Sequence, residues 1–168
     1  MLRLCATAVL VTFPNLCGVI DMIYISENLL TQIKLDAEGA YPDECCGFIF
    51  GRLLENGKKA VSVKAEENSF EQGERYHRFN ISADTMFKAE QYARKNNLDI
   101  VGIYHSHPDC RAIPSEYDRT HALPVYSYII VSVINGKTAD TTCHELDSKT
   151  NYTQFIREQI VIDNKGEF

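Results

Sequence analysis

Residues 98–118 read Leu-Asp-Ile-Val-Gly-Ile-Tyr-His-Ser-His-Pro-Asp-Cys-Arg-Ala-Ile-Pro-Ser-Glu-Tyr-Asp. The apolar run from Leu98 to Tyr104 predicts a buried strand that ends in a polar cluster. His105 and His107 are two apart, so on an extended chain their side chains share one face. A carboxylate returns at Asp118. Two imidazoles and one carboxylate make three ligands suited to Zn²⁺, with a fourth position open for water, as in catalytic rather than structural zinc sites. Each part has a plainer reading. Two histidines at this spacing can be polar loop residues, and Ser115-x-x-Asp118 is a capping box, Ser115 starting a helix and Asp118 reaching back to its N–H. Capping and ligation are compatible, because one carboxylate oxygen can cap while the other reaches a metal.

Outward from this stretch, Ser26 is a good N-cap for a helix with apolar residues at Leu29, Leu30, Ile33 and Ala37, ended by Gly39. Ile23-Tyr24-Ile25 before it is a first strand. Phe48-Ile49-Phe50, a turn at Glu55-Asn56-Gly57-Lys58 and a strand over 59–64 predict an antiparallel hairpin. Residues 66–74 are polar and read as loop, and 76–81 as a short strand. Ser82 caps a second helix to about Asn97, with its apolar stripe at Met86, Ala89 and Ala93. Strands over 126–134 and 138–146 join through Asn135-Gly136, a strong hairpin signal, and 155–162 closes the chain as strand or helix. The pattern is that of an α/β domain with a mixed sheet and no internal repeat.

At 168 residues the chain fits one domain with a substantial core. Its 45% hydrophobic and 24% charged residues are ordinary for a soluble protein. The net charge of −6 argues against nucleic acid or an anionic membrane as partner. Six cysteines show neither paired CxxC spacing nor a secreted scaffold, so they read as reduced thiols in a cytoplasmic protein. Arg3 and the apolar run after it could pass for a secretory signal, but Ala6-Thr7-Ala8 precedes most of that run, which makes a poor cleavage site. Residues 1–21 are therefore read as an extension, with a signal peptide as the alternative, and 22–168 as the domain.

The combination is more specific than its parts. Pro42-Asp43-Glu44-Cys45-Cys46-Gly47 before a strand, then His105-Ser106-His107, a seven-residue gap from Pro108 to Pro114, and Ser115-x-x-Asp118 resemble the JAMM (MPN+) metallopeptidases of prokaryotic type. The resemblance implies a single domain with a mixed, mainly antiparallel curved sheet flanked by two main helices, of the JAMM and cytidine-deaminase-like kind. It implies one catalytic Zn²⁺ on His105, His107 and Asp118, Glu44 as general base, and Ser115 as hydrogen-bond donor to the oxyanion. The implied activity is hydrolysis of amide or isopeptide bonds, releasing an amino acid or peptide after the C-terminal Gly-Gly of a ubiquitin-like or sulfur-carrier protein. Residues 48–50 and 68–79 are expected to pair with such an extended tail by β-augmentation, and a homodimer is left open. Two other classes compete: a non-catalytic MPN scaffold, which would have lost ligands, and a two-histidine, one-carboxylate iron oxygenase, in which Glu44 and Ser115 have no evident task. Cys46 reads as a packing residue. Cys110, in the loop between ligands, reads as a spare thiol, with an approach to the metal as the alternative.

Overall fold

The computed structural model describes residues 22–163; the extension expected over 1–21 lies outside the described residues. Strand β1 (Met22–Ile25) leads straight into helix α1 (Glu27–Ala40), because the Ser26 hydroxyl accepts the Leu29 N–H at 3.3 Å and caps it. Leu30, Ile33 and Ala37 are its buried stripe. The helix runs through Gly39, the expected stop, and ends one residue before the Tyr41-Pro42 pair, where proline disfavours helical geometry in the residue before it.

Strands β2 (Cys46–Leu54) and β3 (Gly57–Glu66) form the expected hairpin. Helix α2 (Ala83–Lys95) starts at Ser82, whose hydroxyl accepts the Thr85 N–H at 3.1 Å. Strand β4 (Asp99–Pro108) carries both histidines, and the six-residue helix α3 (Glu116–His121) carries Asp118. Strands β5 (Ser127–Ile134) and β6 (Lys137–Leu146) turn at Asn135 and Gly136, whose φ of 50° and 76° make the left-handed pair that such tight hairpins require. Strand β7 (Phe155–Ile162) follows. Residues 76–81 do not form the expected strand. The Asn80 N–H is given to the Asn68 side chain and the Ser69 N–H to the Asn80 carbonyl, which folds this segment onto its own loop.

The seven strands close into a barrel in the order β1-β3-β2-β4-β5-β6-β7. This corrects the expected curved sheet flanked by two main helices. The closing element is β1, which pairs in parallel with β3 on one edge and with β7 on the other. Closure satisfies backbone groups that a curved sheet would leave at its margins. The helices are small additions of 14, 13 and 6 residues. β4 and β5 also run parallel, while the remaining pairs are antiparallel. A second correction follows. Residues 48–50 lie in β2, which has β3 on one side and β4 on the other, so they offer no free edge to a substrate tail.

Two apolar clusters hold the barrel. α1 packs with Ile23, Ile49, Val101, Ile129 and Val131 on one face of the sheet. Ala89 and Ala93 of α2 pack with Phe48, Phe50, Ile103 and Tyr128 on the other. The β2–β4 register slips between Ile49 and Phe50, and this bulge turns Val101 to the face opposite Ile103. Ile103, His105 and His107 thus follow one another on the α2 side. Gly47 marks a close approach, since a Cβ there would collide with the Lys64 carbonyl and the Tyr104 ring. Among the described residues no helix is long and apolar enough to cross a membrane.

Candidate metal centre

β4 stays extended as far as Pro108, and that geometry brings the two imidazoles together. The Nε2 atoms of His105 and His107 lie 3.0 Å apart. Asp118 meets them through both oxygens, Oδ1 at 3.4 Å from His105 Nε2 and Oδ2 at 3.4 Å from His107 Nε2. All three residues are buried. The third arm is aimed by the capping box of α3. The Ser115 N–H donates to Asp118 Oδ2 at 2.6 Å, and the Asp118 N–H donates to Ser115 Oγ at 3.1 Å. Capping and pointing into the cradle are therefore combined in one side chain.

These residues fit a metal. Ligand atoms each about 2.0–2.1 Å from a tetrahedral ion lie about 3.3 Å from one another; here the two Nε2 atoms are 3.0 Å apart and each has one Asp118 oxygen at 3.4 Å. His107 Nδ1 lies 3.0 Å from the Arg111 carbonyl, a partner that favours the tautomer with hydrogen on Nδ1 and the Nε2 lone pair facing the cradle. Burial pushes His105 below the usual histidine range against the pull of Asp118, so it stays neutral, as a ligand must be. For Asp118 burial acts upward, but His105, His107 and the Ser115 N–H outweigh it and hold the carboxyl well below the usual carboxylate range. His107 is raised: burial lowers it, and Asp118 and Glu44 more than compensate. Two lone pairs and a carboxylate converging in a buried space need a positive charge among them.

Glu44 lies just before β2, buried, near enough for its charge to act on His107 and to feel Asp118. Burial, opposed by His107 and aided by Asp118, pushes its carboxyl up to about 8. Ser115 is exposed at the N-terminus of α3. Its oxygen accepts the Asp118 N–H, so its own hydrogen remains available for donation. Ser106 points the other way, accepting the Cys45 N–H at 2.8 Å and tying the start of β2 to β4. Cys45 and Cys46 are buried, and burial pushes both thiols up, Cys46 to about 12, which makes them poor nucleophiles. Cys110 is exposed, and its carbonyl accepts the Ser132 hydroxyl at 2.6 Å. His121 stacks on Tyr117 with ring centroids 4.0 Å apart.

Three residues of the 66–81 loop matter here and carried no signal in the sequence. Asn68 uses its full capacity: its amide donates to the Glu44 and Arg78 carbonyls at 3.1 and 2.9 Å, and its oxygen accepts the Phe70 and Asn80 N–H groups. The Glu44 N–H donates to the Arg75 carbonyl at 2.7 Å, so both backbone groups of Glu44 are held by this loop. Phe79 stacks on the His105 ring at 4.6 Å. A buried asparagine in a polar loop has no periodicity to betray it. Asn68→Ala leaves several buried groups unpaired and is expected to cost roughly 1–3 kcal/mol, measured by urea unfolding. Unchanged stability would mean that water or a loop shift replaces these bonds.

A barrel that presents two strand histidines and a helix-borne aspartate in one buried cradle is a domain that could hold a metal ion. The family model described as prokaryotic homologs of the JAB domain matches residues 26–147, and the chain belongs to that family. The resemblance to prokaryotic-type JAMM proteins is thereby shown. A desampylase of Pyrococcus furiosus is 37% identical over 75 residues, 45% of this chain and 49% of that enzyme, so the match spans about half of its length. A desampylase of Haloferax volcanii is 27% identical over 118 residues, 67% of this chain and 79% of that enzyme. Among solved structures, a protein of Desulfitobacterium hafniense superposes with a TM-score of 0.73 at 24% identity over 86% of this chain and 94% of its own. That likeness speaks for the fold. A protein of Salinibacter ruber gives 0.65 at 32% identity over 84% of this chain and 92% of its own.

Proposed function

We propose that this protein is a zinc-dependent hydrolase of amide or isopeptide bonds, releasing an amino acid or peptide after the C-terminal Gly-Gly of a ubiquitin-like or sulfur-carrier protein. The observation that carries the reading is the buried cradle of His105, His107 and Asp118 with the Glu44 carboxyl held beside it. The names of the two curated relatives, both desampylases, support hydrolysis at a protein modifier.

His105, His107 and Asp118 would hold the zinc, which would supply Lewis acidity towards water and a carbonyl. Glu44 takes the proton from the attacking water and later delivers it to the departing amine. Its raised affinity for a proton suits that exchange better than an ordinary surface carboxylate would. The Ser115 hydroxyl donates its free hydrogen to the developing oxyanion, fixed in place because its oxygen is already bonded to the Asp118 N–H. The loop bonds to both backbone groups of Glu44 fix the point from which the base projects.

The test is a pair of carriers with the same C-terminal extension, one joined through Gly-Gly and the other through Gly-Ala, followed by mass spectrometry. A methyl group at the last position misplaces the scissile carbonyl, so kcat/KM should fall strongly. Equal cleavage of both, or of neither by zinc-loaded protein, would overturn this substrate class.

A further inference from the structure

Beside the cradle, on the α2 side of the sheet, lies a cavity of about 200 Å³. Its lining is mainly apolar, with Ile81, Met86, Ile103, Leu123 and Tyr128 prominent beside the polar Asn80 and His121, and His105 and Asp118 form the wall shared with the candidate metal centre. The polar end of Tyr128 is already spent: its hydroxyl donates to the Leu123 carbonyl at 3.0 Å and accepts the Leu123 N–H at 2.6 Å. The Asp118 carboxylate is likewise engaged, by Ser115 and the two histidines. The Asn80 amide is held by Ser69 Oγ at 2.9 Å and His121 Nδ1 lies 2.9 Å from the Tyr117 carbonyl, so the lining favours an apolar guest over a polar one. An apolar cavity of roughly 150 Å³ takes up benzene, so this one has room for a branched aliphatic or phenyl side chain. Because it shares two walls with the cradle, its guest belongs to a residue next to the bond being broken.

We propose that this pocket selects the residue released, and that this residue carries an apolar side chain of leucine or phenylalanine size. The inference rests on the Gly-Gly reading above. Two glycines before the scissile bond have no side chains to offer, so the nearest substrate group able to fill the cavity stands directly after it. A charged side chain there would lose its water to a lining that is mostly apolar. The pocket is thus the specificity element of the leaving side.

The experiment uses the zinc-loaded protein and carriers ending Gly-Gly-X, with X as Leu, Phe, Ala, Asp or Lys. Leu and Phe should exceed Ala by roughly tenfold or more in kcat/KM, the range in which one or two methylenes discriminate in an apolar site. Asp and Lys should rank last. Ala122→Phe narrows the cavity and should pull the Leu-to-Ala ratio towards one, whereas Ile81→Ala widens it and should raise the Phe-to-Ala ratio. A second measurement needs no turnover: leucinamide, but not alaninamide, should shift the methyl resonances of Met86, Ile103 and Leu123 in the unmodified protein. Equal cleavage of all five carriers, selectivity that follows the residue before Gly-Gly, or silence of those methyls overturns the pocket assignment. If leucinamide moves the methyls but no Gly-Gly carrier is cut, the pocket stands and the Gly-Gly reading falls.

Discussion

Glu44→Gln should keep its zinc, lose hydrolysis by about 10²–10⁴-fold, and gain stability when the metal is removed. The first two effects separate binding from proton transfer. Glutamine has nearly the shape of glutamate and leaves His105, His107 and Asp118 untouched, but it cannot carry a proton between water and amine. The third effect comes from burial. The Glu44 carboxyl is raised from 4.5 to about 8 in the folded chain. Between those values the unfolded chain gives up its proton while the folded one retains it, so metal-free stability falls as pH rises through this window. Below it both states are protonated and nothing is lost. At pH 8 the accumulated loss is about 3–5 kcal/mol, and Glu44→Gln abolishes it. Urea unfolding of the two metal-free proteins at pH 5 and pH 8 reads the difference directly. Parallel pH profiles would show that Glu44 is more solvated than its burial implies; full turnover in the zinc-loaded variant would remove it from the mechanism.

His107→Ala should lose most of the metal. Two protein ligands make a poor zinc site, and the pair that remains, His105 and Asp118, keeps its two atoms 3.4 Å apart with a gap on the side His107 filled. Arg111 loses the partner of its carbonyl as well, which loosens the loop between β4 and α3. Metal analysis after dialysis against a weak chelator gives the result. Full zinc occupancy in this variant would mean that the ligands are other residues.

Much of this site was legible because it depends on local periodicities. The histidines sit two apart on a strand, and Ser115-x-x-Asp118 is a helix-start pattern, so each pair is oriented by its own few neighbours. Asn135-Gly136 marked its hairpin for the same reason. Closure of the barrel was not legible. β1 contributes four residues and pairs in parallel with strands more than thirty and more than a hundred positions away, and parallel pairing leaves no turn signature at either end. Residues 76–81 failed as a strand because Asn68, eight or more positions upstream, takes up backbone groups of that segment. The burial of Glu44 depends on the same loop. What the sequence concealed was bonding between segments far apart in the chain.

That closing strand pair has a bearing on synthesis. Every residue of the candidate metal centre lies between Glu44 and Asp118, yet the barrel beneath it is sealed only when β7 comes to lie along β1, the last described strand against the first. A chain emerging from the ribosome can assemble β2, β3 and β4 early, because these contacts are comparatively near in sequence. β1 must wait, one edge bare, until residue 162 has appeared. Pairings this distant are slow to form, and unpaired strand edges invite association with other chains. The candidate ligands can therefore be in place on a nascent chain whose scaffold is still open, and the hazardous interval is the one before β7 appears.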